Sequence, residues 1–114
     1  MQLAEDLVQL GADIIQTEGG ASSKPAHGGT LGLIEKAAPT LAAAYEISRA
    51  VSVPVLCASG ISNVTAPLAT AAGAAGVGVG SAINQLNSEV AMIAAVRSLV
   101  EALAITNTSA HYLA

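Results

Sequence analysis

Between Arg49 and Glu89 the chain carries no charged side chain. An uncharged run of that length invites a transmembrane reading, because roughly 20 consecutive apolar residues span a bilayer. Its interior argues otherwise. Pro54, Ser59, Gly60, Ser62, Asn63, Thr65, Pro67 and Gly73 divide it into strand-length and helix-length pieces with turn chemistry between them. Val53 to Ala58 reads as a continuously apolar strand, and Ser59 to Asn63 as its exit loop. Thr65 to Ala72 is an Ala-rich helix with Pro67 in its first turn and Gly73 as its stop. Gly76 to Val79 is another strand, and Gly80-Ser81-Ala82-Ile83-Asn84 follows it. Ser88 then caps a last helix whose apolar face is Met92, Val96, Leu99, Val100 and Leu103. Strands that are apolar throughout are those covered on both faces, as in parallel sheets flanked by helices.

Upstream, Leu3, Leu7 and Leu10 recur at helical spacing and predict an apolar helix face, with Gly11 as its stop. Asp13 to Glu18 reads as a short strand, and the Gly-rich polar stretch from Gly19 to Thr30 as a long loop. Leu31 to Lys36 gives one or two helical turns. Pro39 then suits a helix start, with Leu41, Ala44, Ile47 and Val51 as its stripe. The resulting order, α-βα-βα-βα, implies parallel strands joined by crossover helices over residues 1–106, with 107–114 as a polar, frayed tail.

Composition narrows the function classes. With 53% hydrophobic and 11% charged residues, the chain has ample apolar surface to bury. Aromatic residues make up 2% and the net charge is −4, so the basic patches and stacking platforms that nucleic acids require are missing. The acidic start, MQLAEDLVQLG, is unlike a secretory leader. The single cysteine, Cys57, permits no internal disulfide and reads as a packed small hydrophobe in a reducing compartment. No His, Cys and Asp cluster has metal-ligand spacing. Glu46 and Arg49, spaced i, i+3, read as a solvated helix pair.

Two features favour a barrel over a doubly wound sheet. The chain opens on a helix, which implies a strand before it. The last two units also form a pair: Ala58-Ser59-Gly60-Ile61 ends one strand, and Gly76-Val77-Gly78-Val79-Gly80-Ser81-Ala82-Ile83 forms the next. That pair resembles the seventh and eighth strands of phosphate-binding (β/α)₈ barrels, whose exit loops gather backbone N–H groups around a phosphate. The wider chain, from Leu10 to Leu103, resembles the barrel family of hypothetical chloroplast reading frames found in cyanobacteria and red-algal plastids. The carrying segments are Ile14-Ile15-Gln16-Thr17-Glu18-Gly19-Gly20, Ser22-Ser23-Lys24-Pro25, Gly32-Leu33-Ile34-Glu35-Lys36-Ala37 and Gly78-Val79-Gly80-Ser81-Ala82. The resemblance implies a TIM barrel roughly twice this length, of which the chain is the C-terminal half. It also implies a setting in the bacterial cytoplasm or the plastid stroma.

On these grounds Ser59, Gly60, Ile61, Gly80 and Ser81 are the expected phosphate-binding residues. Val77 and Val79 share one strand face and Gly78 and Gly80 the other, so valines against the helices leave the glycines facing the lumen. Glycines that merely ease packing are the competing reading. The run lacks the third glycine of a dinucleotide fingerprint, since Ile83 stands there, and no Walker-type Gly-Lys-Ser/Thr is present. Glu18, at the carboxyl end of its strand beside Gln16 on the same face, is a candidate general acid or base. Lys24 is a candidate anion holder or Schiff-base amine and His27 a candidate proton shuttle. Ordinary solvated loop charges are the alternative for all three. The leading function is an enzyme acting on a small phosphorylated metabolite, as a lyase, isomerase or synthase. A barrel holding the phosphate of flavin mononucleotide and a non-catalytic phosphate-ligand sensor are the alternatives. The expected partners are the phosphorylated ligand and either the missing N-terminal half or a second copy of the chain, since three strands alone leave open edges.

Overall fold

The computed structural model describes residues 2–18 and 24–113. Its elements are α1 (Gln2–Gln9), β1 (Ile15–Thr17), α2 (Gly29–Ala50), β2 (Val55–Ala58), α3 (Ala66–Ala71), β3 (Gly76–Gly78), α4 (Ser81–Asn84) and α5 (Glu89–Leu113). The strands form a parallel three-stranded sheet in the order β1-β2-β3. Ile15 pairs with Val55 and Thr17 with Cys57, while Leu56 pairs with Gly76 and Ala58 with Gly78. The alternation of helix and parallel strand therefore stands as expected, with the short α4 as an addition. Among the described residues no helix is long and apolar enough to cross a membrane.

Register sorts the side chains by face. Ile15, Val55 and Cys57 are buried and meet Ala37 and Ala44 of α2, Ala66 and Ala69 of α3, and Leu99 of α5 in one core cluster, and Thr17 is buried on the same strand face. Val77 and Val79 pack against the same cluster. Alanines at these helix positions let the helices sit close on the sheet, which is how a chain so poor in aromatics closes its core. The other strand face, with Gln16, Leu56, Gly76 and Gly78, lies away from this cluster, and Gln16 is exposed.

The helices depart from expectation in three places. Residues 29–50 form one helix with Pro39 inside it, not a helix starting at Pro39. An interior proline forfeits a hydrogen bond and crowds the preceding turn, costing about 3 kcal/mol. Here Pro39 is exposed, while Ala37, Thr40 and Ala44 are buried on both sides of it, and their packing holds the helix together. The leucine face of α1 and the turn after it points outward: Leu3 and Leu10 are 71% and 84% exposed, and Ala4 and Val8 make the core contacts instead. In α5, Ser88 caps as expected, its Oγ accepting from the Ala91 N–H at 3.1 Å. Of the proposed apolar face, Leu99 is buried and Leu103 partly so, but Val96 and Val100 are exposed. Helix α5 also continues to Leu113, through the residues read as a separate tail. On α2, Arg49 does not pair with Glu46; its guanidinium stacks over the Tyr45 ring, 4.7 Å from the centroid.

Candidate functional site

A buried knot of hydroxyls fixes the carboxyl ends of β1 and β2 against α2. Thr40, fully buried, donates its Oγ1–H to the Ala58 carbonyl at 2.5 Å. That commits its one proton, so the Thr17 hydroxyl, 2.6 Å away, donates to Thr40 Oγ1. Cys57 Sγ–H points at the Thr40 carbonyl at 3.6 Å. Cys57 is thus a buried thiol with only weak hydrogen-bond contacts, to the Thr40 carbonyl and hydroxyl. The last residues of two neighbouring strands are thereby tied to one turn of one helix, and Lys36 is carried on the turn before it.

The chain then makes a tight exit from β2. Ser59 and Gly60 both have positive φ, 77° and 78°. For serine this conformation is strained, and such strain is held only where surrounding contacts over-determine it. Those contacts are visible. A Cβ on Gly60 would stand 2.8 Å from the Lys36 carbonyl oxygen, so only glycine fits against α2 here. Ile61 is 3% exposed and anchors the loop in the core. Next, local side-chain bonds close the turn from Ser62 to Thr65. The Ser62 N–H donates to Thr65 Oγ1 at 2.9 Å, and Ser62 Oγ accepts from the Val64 N–H at 3.2 Å. The loop after β2 is therefore anchored at both ends.

After β3 the backbone turns into α4, where the N–H groups of Ile83 and Asn84 close onto the Gly80 carbonyl. The N–H groups of Ser81 and Ala82 precede those bonds and have no acceptor within the turn. A Cβ on Gly80 would meet nothing within 4 Å. Gly76 and Gly78 differ: a Cβ on either would lie about 3 Å from Leu56 Cδ2 or Ala58 Cβ on the adjacent strand. Packing explains those two glycines, although their crowding partners are sheet neighbours, not helices. Gly80 is left as a glycine that packing does not demand.

These pieces surround one cavity of about 500 Å³ at the carboxyl ends of the strands. All of the expected phosphate residues, Ser59, Gly60, Ile61, Gly80 and Ser81, line it, as do Gln16 and Glu18. Leu33 and Lys36 of α2 complete its far wall, together with Ser62 and Ala82. Lys24 and His27 are exposed and do not line it. His27 Nδ1 is 2.8 Å from Glu35 Oε1, and the other carboxylate oxygen accepts from the Ala26 N–H at 3.3 Å. Glu35 thus clamps the end of the loop onto the first turns of α2, and the His27 carbonyl lies directly over Gly32. Gly19 to Ser23 of that loop lie outside the described residues. Of the candidate acid–base residues, then, Glu18 is the one at the cavity.

Lys36 is the site residue that sequence reasoning passed over. Its signal was present: Leu33, Lys36, Thr40 and Ala44 fall at i, i+3, i+7 and i+11, the sheet-facing stripe of a continuous helix. Breaking the helix at Pro39 hid that stripe. Among the described residues no three His, Cys, Asp or Glu side chains come together as a metal site.

Comparison with known proteins agrees with the fold. Residues 1–109 match the family model described as "Protein of unknown function (DUF561)". The uncharacterized protein ycf23 of the red alga Porphyra purpurea is 40% identical over 93 residues, covering 82% of this chain and 35% of the relative. The ycf23 protein of Cyanophora paradoxa is likewise 40% identical over 93 residues, covering 82% of this chain and 38% of its own length. The chain thus spans about a third of the length of the relatives it matches, against the half expected from a barrel of twice its size. Among solved structures, a chain of the Amycolatopsis orientalis BexX/CysO complex superposes with a TM-score of 0.60 at 21% identity, covering 94% of this chain and 41% of that one. At that identity the likeness is one of fold: a partial, barrel-like parallel unit within a larger α/β domain.

Proposed function

We propose that this chain, which belongs to the DUF561 family, is the C-terminal half of a (β/α)₈ barrel and holds the phosphate of a small phosphorylated metabolite across the loops after β2 and β3. The observation that carries this reading is convergence. Five residues chosen for their backbone chemistry, on two separate loops, line the same cavity of about 500 Å³. Phosphate is recognised by clustered main-chain N–H groups in a place where side chains do not intrude. Gly80, which has open space where a side chain would stand, leaves such a place. Ser81 adds a hydroxyl donor. Glu18 lines the same cavity and is the candidate for moving a proton on the bound molecule.

The remainder of the barrel would close the cavity and cover the open strand face, and in its absence a second copy of the chain would do so. The candidate phosphate-binding residues all belong to this chain, so the subsite can be tested in it. In a thermal-shift titration, inorganic phosphate, sugar phosphates and flavin mononucleotide should be compared with potassium chloride at matched ionic strength. A ligand that binds only the folded chain raises its melting temperature, by about 2.7 kcal/mol of stabilisation at a hundred times its Kd. Stabilisation by phosphate compounds that disappears in Gly80→Asp supports the site. Equal curves for phosphate and chloride would refute it.

A non-catalytic phosphate sensor is the second reading, and one observation favours it. Of the three acid–base candidates only Glu18 lines the cavity, while His27 is bound to Glu35. A sensor would keep its ligand affinity, with no turnover to lose, when Glu18 is replaced by Gln. Among the described residues no aromatic side chain lines the cavity to stack on a flavin ring.

A further inference from the structure

Among the described residues Lys36 and Glu18 are the charged ones that line the cavity. Strand order fixes where each stands along its rim. Glu18 follows β1, the Ser59-Gly60 turn follows β2, and Gly80 and Ser81 follow β3, with β2 in the middle of the sheet. Neighbouring parallel strands are about 4.8 Å apart. Glu18 therefore lies to one side of Gly60 and Gly80 to the other, each by roughly one strand spacing. Lys36 reaches the rim at its middle, from α2, with its Cγ 3.1 Å from where a Gly60 Cβ would be. Its backbone is held in place twice: by the close approach of Gly60 and by Thr40, one turn further on, bonded to the Ala58 carbonyl. Among the described residues the one ion pair is His27–Glu35, so no carboxylate there neutralises Lys36.

We infer that Lys36 is the cationic anchor of this site and Glu18 its anionic selector, so that the ligand is a phosphate monoester whose remaining body is uncharged and bears hydroxyl groups. The inference rests on the phosphate reading of the two loops. A phosphate held between the β2 and β3 exits has Lys36 beside it, and a charge-assisted bond to the ammonium adds to the main-chain donors. The body of the ligand then extends across the end of β1, toward Gln16 and Glu18. A carboxylate accepts hydrogen bonds from hydroxyls. It repels a second carboxylate or phosphate placed against it. The same cavity therefore favours polyol and sugar monophosphates and disfavours bisphosphates and phosphorylated acids.

The test is calorimetric titration of the purified chain with glycerol 3-phosphate and with 3-phosphoglycerate, in which a carboxylate replaces the terminal hydroxymethyl group. The unmodified chain is expected to bind glycerol 3-phosphate about tenfold or more tightly than 3-phosphoglycerate. Lys36→Met should weaken both by about 10- to 100-fold, with most of the affinity retained in Lys36→Arg. Glu18→Gln should narrow the gap between the two ligands without weakening glycerol 3-phosphate to the same degree. Both positions are exposed, and an unchanged melting temperature for the unliganded variants verifies that folding is intact. If Gly80→Asp abolishes binding but Lys36→Met does not alter it, or Glu18→Gln leaves the gap intact, the charge assignment is wrong while the phosphate site stands. If Lys36→Arg is as weak as Lys36→Met, the ammonium is not acting as a general cation and the anchor role falls. If the unmodified chain binds neither compound, the phosphate reading and this inference fall together.

Discussion

Gly60 and Gly80 lack a side chain for different reasons, and substitution separates them. At Gly60 the backbone is left-handed and the Lys36 carbonyl occupies the place of a Cβ. Gly60→Ala should therefore destabilise the chain by about 1–3 kcal/mol, read as a lower urea midpoint at unchanged slope. At Gly80 the φ is −117° and the space is open. Gly80→Ala should shift stability by less than about 1 kcal/mol. If both alanine variants lost stability equally, Gly80 would be a packing glycine and its functional reading would lose its basis. Thr40→Val keeps the volume of a buried side chain but leaves the Ala58 carbonyl and the Thr17 hydroxyl short of a partner. It should cost about 1–3 kcal/mol. Gly60 and Gly80 were both legible as loop residues from their setting after apolar strands. Thr40 was not, since a threonine inside a helix carries no local sign that its hydroxyl will meet a strand-end carbonyl.

Helix α2 joins the site to the sheet, and its continuity through Pro39 was hidden in the sequence. Strand and turn chemistry is local, so β1, β2, β3 and the exit loops could be read from apolar runs and from Gly, Ser and Pro between them. A helix carried across a proline depends on tertiary burial, here of Ala37, Thr40 and Ala44, which no short window contains. The same limit misplaced the apolar faces of α1 and α5, because periodicity identifies a stripe without saying what covers it. Pro39 is exposed, so Pro39→Ala should restore a helix hydrogen bond and raise stability by about 1–2 kcal/mol after the entropy gained by the unfolded chain is deducted. A lower melting temperature in that variant would mean that the proline sets a bend the Lys36 wall requires. The clamp of Glu35 on His27 and Ala26 accounts for a loop histidine that the cavity does not use.

The molecule as a whole carries apolar surface at its flanks. Leu3 on α1, Leu10 just after it, and Val90 and Val100 on α5 are each at least 60% exposed, and Gln16 on the open strand face is exposed as well. A chain that matches about a third of the length of its relatives would meet more protein at these faces in a complete barrel. Alone, it should self-associate: sedimentation at micromolar concentration should give at least twice the 11.2 kDa of one chain. A folded species at the monomer mass would show that these faces tolerate water and would remove the case for a second copy. The most direct test of the phosphate site is a titration of the ¹⁵N-labelled chain with inorganic phosphate, followed through its backbone amide shifts against a potassium chloride control. Saturable shifts concentrated on Gly60, Ile61, Gly80 and Ser81 are the expected result. Shifts that are absent, scattered or centred on the Lys24–His27 segment would contradict a phosphate site at the ends of β2 and β3.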